Sequence, residues 1–336
     1  MYKKINKLIF LLLAIAYCAL AFIYMFLPKL NEKVSVWFFV AQFISFPLFF
    51  GLLILSFTFI RMVVKFFKQE FKLIDKLSLL LVVVAFLLFN VNGLFNHYHH
   101  RQLTNYKTLK IVEFNALNYL DHDTISKIFR EFDADIVIFP ELGVGADGTD
   151  VKTRLRPLFD QNSLDLLNYQ VYTSKENITS IAPVTVIVKN IWPYQRIDSQ
   201  INTTFGTVYL KARGSLPDIV GLHTAPPLPT MMSFWRHDLW MIVNDIIPKH
   251  KNAIIAGDFN ATLKHGTLNN IEGYVDVLSS LNGLNNGTWK ADFPQYFKTC
   301  IDHILIPDNS NIKEVKLHKL GISDHMATFA IIEIEQ

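Results

Sequence analysis

The sequence predicts an α/β protein, with packed mixed β-sheets flanked by helices behind an N-terminal transmembrane helical region. Three observations carry this. Long uncharged runs crowd into the first hundred of 336 residues. Beyond residue 105 short β-branched runs outnumber helical stretches, and several lie too close together for a crossover helix. Polar residues suited to phosphoryl chemistry then stand where the predicted strands end.

Three apolar segments are candidate spans: 8–27, 36–60 and 77–95. The first is free of charge over about 20 residues, the length a helix needs to cross the hydrocarbon core. The second is also uncharged, and Gln42 and Pro47 within it are tolerable when packed against neighbours. The third is strongly apolar to residue 89, after which Asn90 and Asn92 follow. The first run exceeds the roughly 7–15 apolar residues of a signal peptide, so a retained helix is expected. Residues 1–96 thus form an anchor, 97–109 a polar linker, and 110–336 the globular domain. His97, His99 and His100 in the linker read as a solvated cluster, because no second set of ligands stands near them in sequence.

Charge divides the same way. The first hundred residues hold 10 Lys+Arg against 3 Asp+Glu, which leaves 22 against 26, a formal −4, for the rest. The pI of about 8.6 therefore belongs to the anchor. A mildly acidic domain argues against bulk nucleic-acid binding, whose affinity comes mainly from neutralising phosphates. Lys3, Lys4 and Lys7 precede the first span, and Arg61, Lys65, Lys68, Lys72 and Lys76 separate the second from the third. By the positive-inside bias these cations are cytoplasmic. Three spans then place the domain outside, in an integral protein of the inner or plasma membrane. The loop 61–76 is expected to lie along the membrane surface. Cys18 and Cys300 are too far apart in kind and sequence to form a disulfide framework or zinc motif.

Within the domain, strands are expected at 110–114, 135–139, 184–188, 207–212, 219–222, 253–256, 301–306 and 327–334. Helices are expected at 124–132 and 231–247. Asn115, Glu141, His223, the run Gly257-Asp258-Phe259-Asn260, Asp302 and Ser323-Asp324-His325 all fall at strand ends. Such positions converge on one sheet edge in α/β proteins. Hard cations such as Mg²⁺ take carboxylate oxygens, which Glu141, Asp258 and Asp324 supply. Asn115, Asn260, His223 and His325 offer donors to a phosphate, and the two histidines with acidic partners form an acid–base set. His303 reads as a neighbour and Arg236 as a solvated helix residue.

Taken in order, Phe114-Asn115, Pro140-Glu141, His223, Gly257-Asp258-Phe259-Asn260, Asp302-His303-Ile304 and Ser323-Asp324-His325 resemble the endonuclease/exonuclease/phosphatase superfamily. That group includes DNase I-like nucleases, neutral sphingomyelinases and inositol polyphosphate phosphatases. The resemblance implies a four-layer α/β sandwich with two mixed sheets, and hydrolysis of a phosphodiester or phosphomonoester with Mg²⁺ or Mn²⁺. It implies Glu141 as principal metal ligand, Asn115 beside the metal or phosphate, and Asp324 completing the metal side. Asp258 would position or deprotonate the attacking water, and Asn260 would bind phosphate. His325, held by Asp302, would contact the scissile phosphate, and His223 would stabilise it or assist the leaving group. Pro140 replaces the family's usual Gln, and Leu117 takes a place often polar in the nucleases. The stretch His223-Thr224-Ala225-Pro226-Pro227 looks more like a membrane-attached bacterial branch. A phosphate-ester substrate is therefore expected, a lipid headgroup or small phosphodiester ahead of nucleic acid, with the bilayer as the anchor's partner. Three other readings remain: an inactive extracytoplasmic binding module of the same fold, a nuclease acting on DNA, and a small transporter, which three spans without interior charge do not support.

Overall fold

The computed structural model describes residues 2–91, 105–174, 182–199 and 201–335. Five helices come first: α1 (Tyr2–Phe26), α2 (Pro28–Val34), α3 (Phe38–Ser45), α4 (Pro47–Phe67) and α5 (Leu73–Asn90). Three of them are long and apolar enough to cross a membrane, over Leu8–Phe26, Pro47–Phe67 and Leu73–Asn90. They pack on one another through Ala14, Tyr17, Ala21, Val82, Ala85 and Phe89. Small residues at such contacts let helix backbones approach closely.

The second apolar segment departs from the single helix expected over 36–60. The chain breaks at Phe46, just before Pro47, because proline cannot donate the backbone N–H that would continue a helix and restricts the residue ahead of it. Pro47 instead opens α4, which runs on through Arg61 and Lys65 to Phe67. The surface-lying loop expected over 61–76 is thus reduced to a turn before α5. Lys65 pairs with Asp75 across that turn, and the Arg61 guanidinium lies over the Phe10 ring. The residues ahead of the break, α2 and α3, form an arm laid on the globular domain. The third apolar helix starts at Leu73 and ends at Asn90, earlier at both ends than the expected 77–95. Most of the expected linker, with His97, His99 and His100, lies outside the described residues; its end, from Tyr106, already belongs to a strand.

Twelve strands follow among the described residues: β1 (Tyr106–Glu113), β2 (Ile136–Pro140), β3 (Tyr169–Thr173), β4 (Val184–Lys189), β5 (Tyr194–Ile197), β6 (Gly206–Ala212), β7 (Ile219–His223), β8 (Ile254–Asp258), β9 (Tyr274–Asp276), β10 (Asp302–Pro307), β11 (Asn311–Lys319) and β12 (Met326–Glu335). They make two six-stranded sheets, ordered β11-β12-β1-β2-β4-β3 and β5-β6-β7-β8-β10-β9. Their inner faces bury Leu109, Ile111, Ile138, Val186, Val208, Ile254, Ile304 and Ile332 in one core. Helix α6 (His122–Ile125), extended by a widened turn to Glu131, and α7 (Val151–Gln161) cover the first sheet through Ile125, Phe129, Leu155 and Phe159. Helix α8 (Met232–Met241), extended to Lys249 by a widened turn and the short α9 (Ile247–Lys249), covers the second through Trp235, Leu239 and Ile242. The four layers are helix, sheet, sheet, helix.

Each sheet is mixed because it holds one parallel pair, β1 with β2 and β7 with β8. The remaining pairings are antiparallel. Parallel neighbours end side by side, so residues following β1 and β2 emerge together, as do those closing β7 and β8. That topology sets the site.

Candidate active site

The two parallel pairs deliver their ends to one edge of the sandwich. Asn115 leaves β1 and Glu141 leaves β2, while His223 and Asp258 sit directly opposite each other in the β7–β8 register. Strand β10 runs antiparallel to β8, which places Asp302 opposite Asp258. His325, immediately before β12, closes the ring from the first sheet. Residues scattered over more than two hundred positions therefore meet because of sheet pairing, and side-chain chemistry had only to be placed at the right strand ends.

The local backbone is bent to serve this edge. Gly257 has φ +149, and a Cβ there would stand 1.8 Å from the Leu222 carbonyl oxygen. Any other residue would push β8 away from β7. Glu141 and Asn260 hold φ of +58 and +47. For a non-glycine residue the left-handed region costs roughly 1–2 kcal/mol, less for asparagine. Asn260 is helped by its backbone N–H, which donates to Asp258 Oδ1 at 2.7 Å.

Asp258 is the hub. Its Oδ2 accepts from Asn115 Nδ2 at 3.0 Å and faces His223 Nε2 at 3.5 Å and His325 Nε2 at 3.8 Å. The same Asn115 amide nitrogen donates to Glu141 Oε1 at 3.1 Å, so one amide bridges the two carboxylates. Asn115 Oδ1 meanwhile accepts from the Leu117 N–H, and the Asn115 carbonyl accepts from Ser323 Oγ at 2.6 Å. Asp258 is buried; burial first, and then the charge of Asp302, push its carboxyl above the usual range, against the pull of His325 and His223.

The two histidines are fixed differently. His223 Nδ1 faces the Ala182 carbonyl at 3.0 Å, so it carries the proton and leaves Nε2 turned to the site. Asn260 Nδ2 lies 3.4 Å from that Nε2 and donates to the Thr224 carbonyl. His325 Nδ1 is 2.9 Å from both oxygens of Asp302. Burial alone disfavours the imidazolium, but the Asp302 carboxylate outweighs it and raises His325 to about 9. Its Nε2 points between Asp258 and Asp324, 3.9 Å from Asp324 Oδ1.

Seven of the eight residues named from sequence form this constellation: Asn115, Glu141, His223, Asp258, Asn260, Asp302 and His325. Asp324 borders it. Its Oδ2 accepts from Trp289 Nε1 at 2.9 Å and pairs with Lys290 Nζ at 3.2 Å, and it joins neither carboxylate–imidazole group described next. Trp289 and Lys290 were not foreseen, since nothing in their sequence surroundings marks them. Glu113 was also missed, although a glutamate inside an otherwise apolar strand is a signal. It is fully buried on β1 with both carboxylate oxygens unpartnered. Burial, then the charges of Asp302 and Asp258, raise its pKa well above the ordinary carboxylate value. Two expectations of no role separate. His303 lies outside the constellation, in an ion pair with Asp276 on the other face of β10. Arg236 is not merely solvated: its Nε donates to the Val36 carbonyl at 3.0 Å and ties the arm to α8.

Ligand atoms of Glu141, His223 and Asp258 lie within 4.8 Å of one another, as do those of Asp258, Asp302 and His325. Oxygen donors dominate the Glu141 side, where Asn115 draws the Glu141 and Asp258 carboxylates together. That donor set fits a hard divalent cation better than a soft one.

The layered fold and this edge of carboxylates, amides and imidazoles define a class: α/β sandwiches whose paired sheets present a metal-compatible acidic site. The model of the Endonuclease/Exonuclease/phosphatase family matches residues 87–325, and the chain belongs to that family. Among solved structures, the chain is similar to an endonuclease/exonuclease/phosphatase from Bacteroides vulgatus, at 13% identity and TM-score 0.46, over 68% of this chain and 100% of that one. It is similar to another from Beutenbergia cavernae at 12% and 0.49, over 68% and 72%. A third likeness is TDP2 from Caenorhabditis elegans at 17% and 0.47, over 68% and 75%. No curated protein matches.

Proposed function

We propose that the protein is a membrane-anchored, divalent-cation-dependent hydrolase of phosphate esters. The observation that supports it best is the joint placement of Glu141 and Asn115 beside Asp258, with two differently held imidazoles on either side. Glu141 with Asn115 would hold Mg²⁺ or Mn²⁺, with Asp324 on the far side of His325. The cation would neutralise charge on the phosphate oxygens.

The chain's own groups supply the rest. Asp258 is the base that orients the attacking water, its carboxylate held by Asn115 and by the Asn260 backbone. His325 is held as imidazolium by Asp302 and presents Nε2–H to a non-bridging oxygen, a donor aimed where negative charge grows. His223, with Nδ1 committed to the Ala182 carbonyl, keeps Nε2 for the phosphate or the leaving oxygen. The Asn260 amide steadies the same region.

The anchor gives this site a side. The last turn of α1, the first turn of α4 and the end of α5 meet the domain, whereas Arg61, Lys65, Lys68, Lys72 and Lys76 gather at the opposite end of the helices. With those cations cytoplasmic, the domain is extracytoplasmic. That location and the domain's mildly acidic balance favour a lipid headgroup or small phosphodiester over nucleic acid.

The test uses the full chain in detergent micelles with bis(p-nitrophenyl) phosphate, a choline phospholipid and plasmid DNA, each with EDTA, Mg²⁺ or Mn²⁺. Hydrolysis that needs the metal and falls about 10³-fold or more in Glu141→Ala supports the reading. Folded protein inert toward all three substrates with both metals makes the chain a binding module. Rapid plasmid nicking with inert lipid makes it a nuclease.

A further inference from the structure

We propose that the cavity between the membrane helices and the domain is a binding site for an anionic phospholipid, separate from the catalytic edge. The cavity measures about 490 Å³. One wall is built from the ends of all three apolar helices that face the domain, through Tyr24 of α1, Phe49 of α4 and Phe89 of α5. The opposite wall is the domain, which contributes Lys264 and Lys298. Its floor is His303 with Asp276, on the face of β10 turned away from Asp302 and His325. Strand β10 therefore lies between this cavity and the catalytic groups.

The chemistry of the two walls matches the two ends of one kind of molecule. Helix ends that emerge from a bilayer lie at headgroup depth, where aromatic side chains with one apolar and one polar end concentrate. The Tyr24 and Phe89 rings are tilted against each other with centroids 5.0 Å apart, and Phe49 is about half exposed and meets Phe297 edge-on, with centroids 6.2 Å apart. Acyl chains meet that wall.

The polar wall is cationic. Asp276 is the acidic residue among those lining the cavity, and its charge is taken by His303, whose Nδ1 lies 2.7 Å from Asp276 Oδ2. The lysines remain in excess. Lys298 reaches Gln295 Oε1 and the Met326 sulfur, neither of them anionic. Lys264 has no carboxylate partner among the described residues; its Nζ lies 5.8 Å above the Tyr24 ring. Burial pulls the Lys264 pKa below its usual value, a cost that an anion beside it reverses. A half-buried cation facing the aromatic ends of membrane helices, with no carboxylate partner among the described residues, is what a lipid phosphate complements.

The occupant is a lipid rather than a free anion because one wall of the cavity is built from the apolar ends of the membrane helices. The site does not depend on hydrolysis, so it stands or falls apart from the proposed activity.

The experiment is native mass spectrometry of the full chain released from micelles, in EDTA so that no turnover occurs. The probes are dioleoyl phosphatidylglycerol, dioleoyl phosphatidylcholine and glycerol 1-phosphate. Retention of the phosphatidylglycerol about fivefold above the phosphatidylcholine is expected, the discrimination one lysine gives against one net phosphate charge. Lys264→Gln removes that preference and Lys264→Arg restores it. Leu284→Trp, which fills the cavity, lowers retention of both lipids while the far-UV dichroism stays unchanged. Glu141→Ala leaves retention as it was. Equal retention of the two lipids, an unchanged preference in Lys264→Gln, displacement by equimolar glycerol 1-phosphate, or loss of binding in Glu141→Ala each overturns the proposal. The last outcome would place the lipid at the catalytic edge and leave the hydrolase reading intact.

Discussion

Strand β10 carries two histidine–carboxylate pairs on its two faces, and they differ in one respect that decides what each does. On the face toward the first sheet, Asp302 holds His325 through Nδ1 alone, and Nε2 remains turned toward Asp258 and Asp324. On the other face His303 gives Nδ1 to Asp276 at 2.7 Å and Nε2 to the Ala261 carbonyl at 2.8 Å. Both of its partners are acceptors, so the ring carries two protons and has none to exchange with a ligand. Asp302 and His303 are adjacent in sequence and point to opposite faces because side chains alternate along a strand. Burial and ion pairing are common to both pairs. A free second nitrogen is not, and it is what the catalytic role proposed for His325 requires.

The largest expected effect lies on the face with the free nitrogen. His325→Ala removes the imidazolium aimed into the site, and kcat/KM for the phosphodiester is expected to fall about 10³-fold, within the range for a positioned proton donor. His325→Gln keeps a donor without the charge and should recover part of that loss. Steady-state rates of the folded full chain in micelles measure both. A fall of less than about tenfold in the alanine variant would put His325 with the scaffold.

The second effect lies on the closed face. Asp276→Asn leaves a buried imidazolium opposite a neutral amide, and breaking a buried pair in this way costs about 3–5 kcal/mol. Thermal unfolding should register it as a marked drop in midpoint, while the rate per folded molecule is retained, because nothing on that face reaches Asp258. If activity instead fell as far as in His325→Ala, β10 would be coupling its two faces and the contrast would be lost.

How much of this the sequence shows follows from where each piece of information resides. The buried strands β2, β4, β7, β8 and β12 read clearly because both their faces are mostly apolar, and the site residues close or follow β2, β7 and β8 and precede β12. Strands β3, β5 and β9 were missed: they are short and at or near sheet margins, where half-buried side chains carry no strong period. β11 alternates Lys and Glu with apolar residues on a sheet edge, and α7 carries Pro157 and charged neighbours. Asp302 and His303 illustrate the limit better. The resemblance separated Asp302 from His303, whereas the face each one takes follows from the β10–β8 pairing, which sets Asp302 opposite Asp258 and His303 opposite Gly257. The arm was illegible for another reason. Its apolar residues match a membrane span in composition, yet Asn31, Gln42 and Ser35 bond to Lys264, Pro227 and Gly266 of the domain. His265 adds a bond to the Ala41 carbonyl. Length and hydropathy cannot distinguish a span from an apolar arm whose partner lies two hundred residues away.

The smallest effect is a slope, and it tests both faces together. His303 is raised well above its ordinary value: burial opposes the charge, and the pairing with Cys300 and Asp276 outweighs it. His325 is raised to about 9. A group whose folded pKa exceeds its unfolded one binds its proton more tightly when folded. Its contribution to stability is therefore complete below about pH 6.5, the unfolded value for histidine, and is lost as pH rises through the folded value. The metal-free protein should lose stability from about pH 6.5 upward, by at most about 1.4 kcal/mol per pH unit for each such proton. Asp276→Asn removes the His303 share and Asp302→Asn the His325 share, so each variant should show a shallower alkaline decline than the parent. Unfolding midpoints in EDTA between pH 6 and 10 measure these slopes. A decline in Asp276→Asn as steep as the parent's would mean that His303 is already neutral, and that its two short contacts hold a single proton between them.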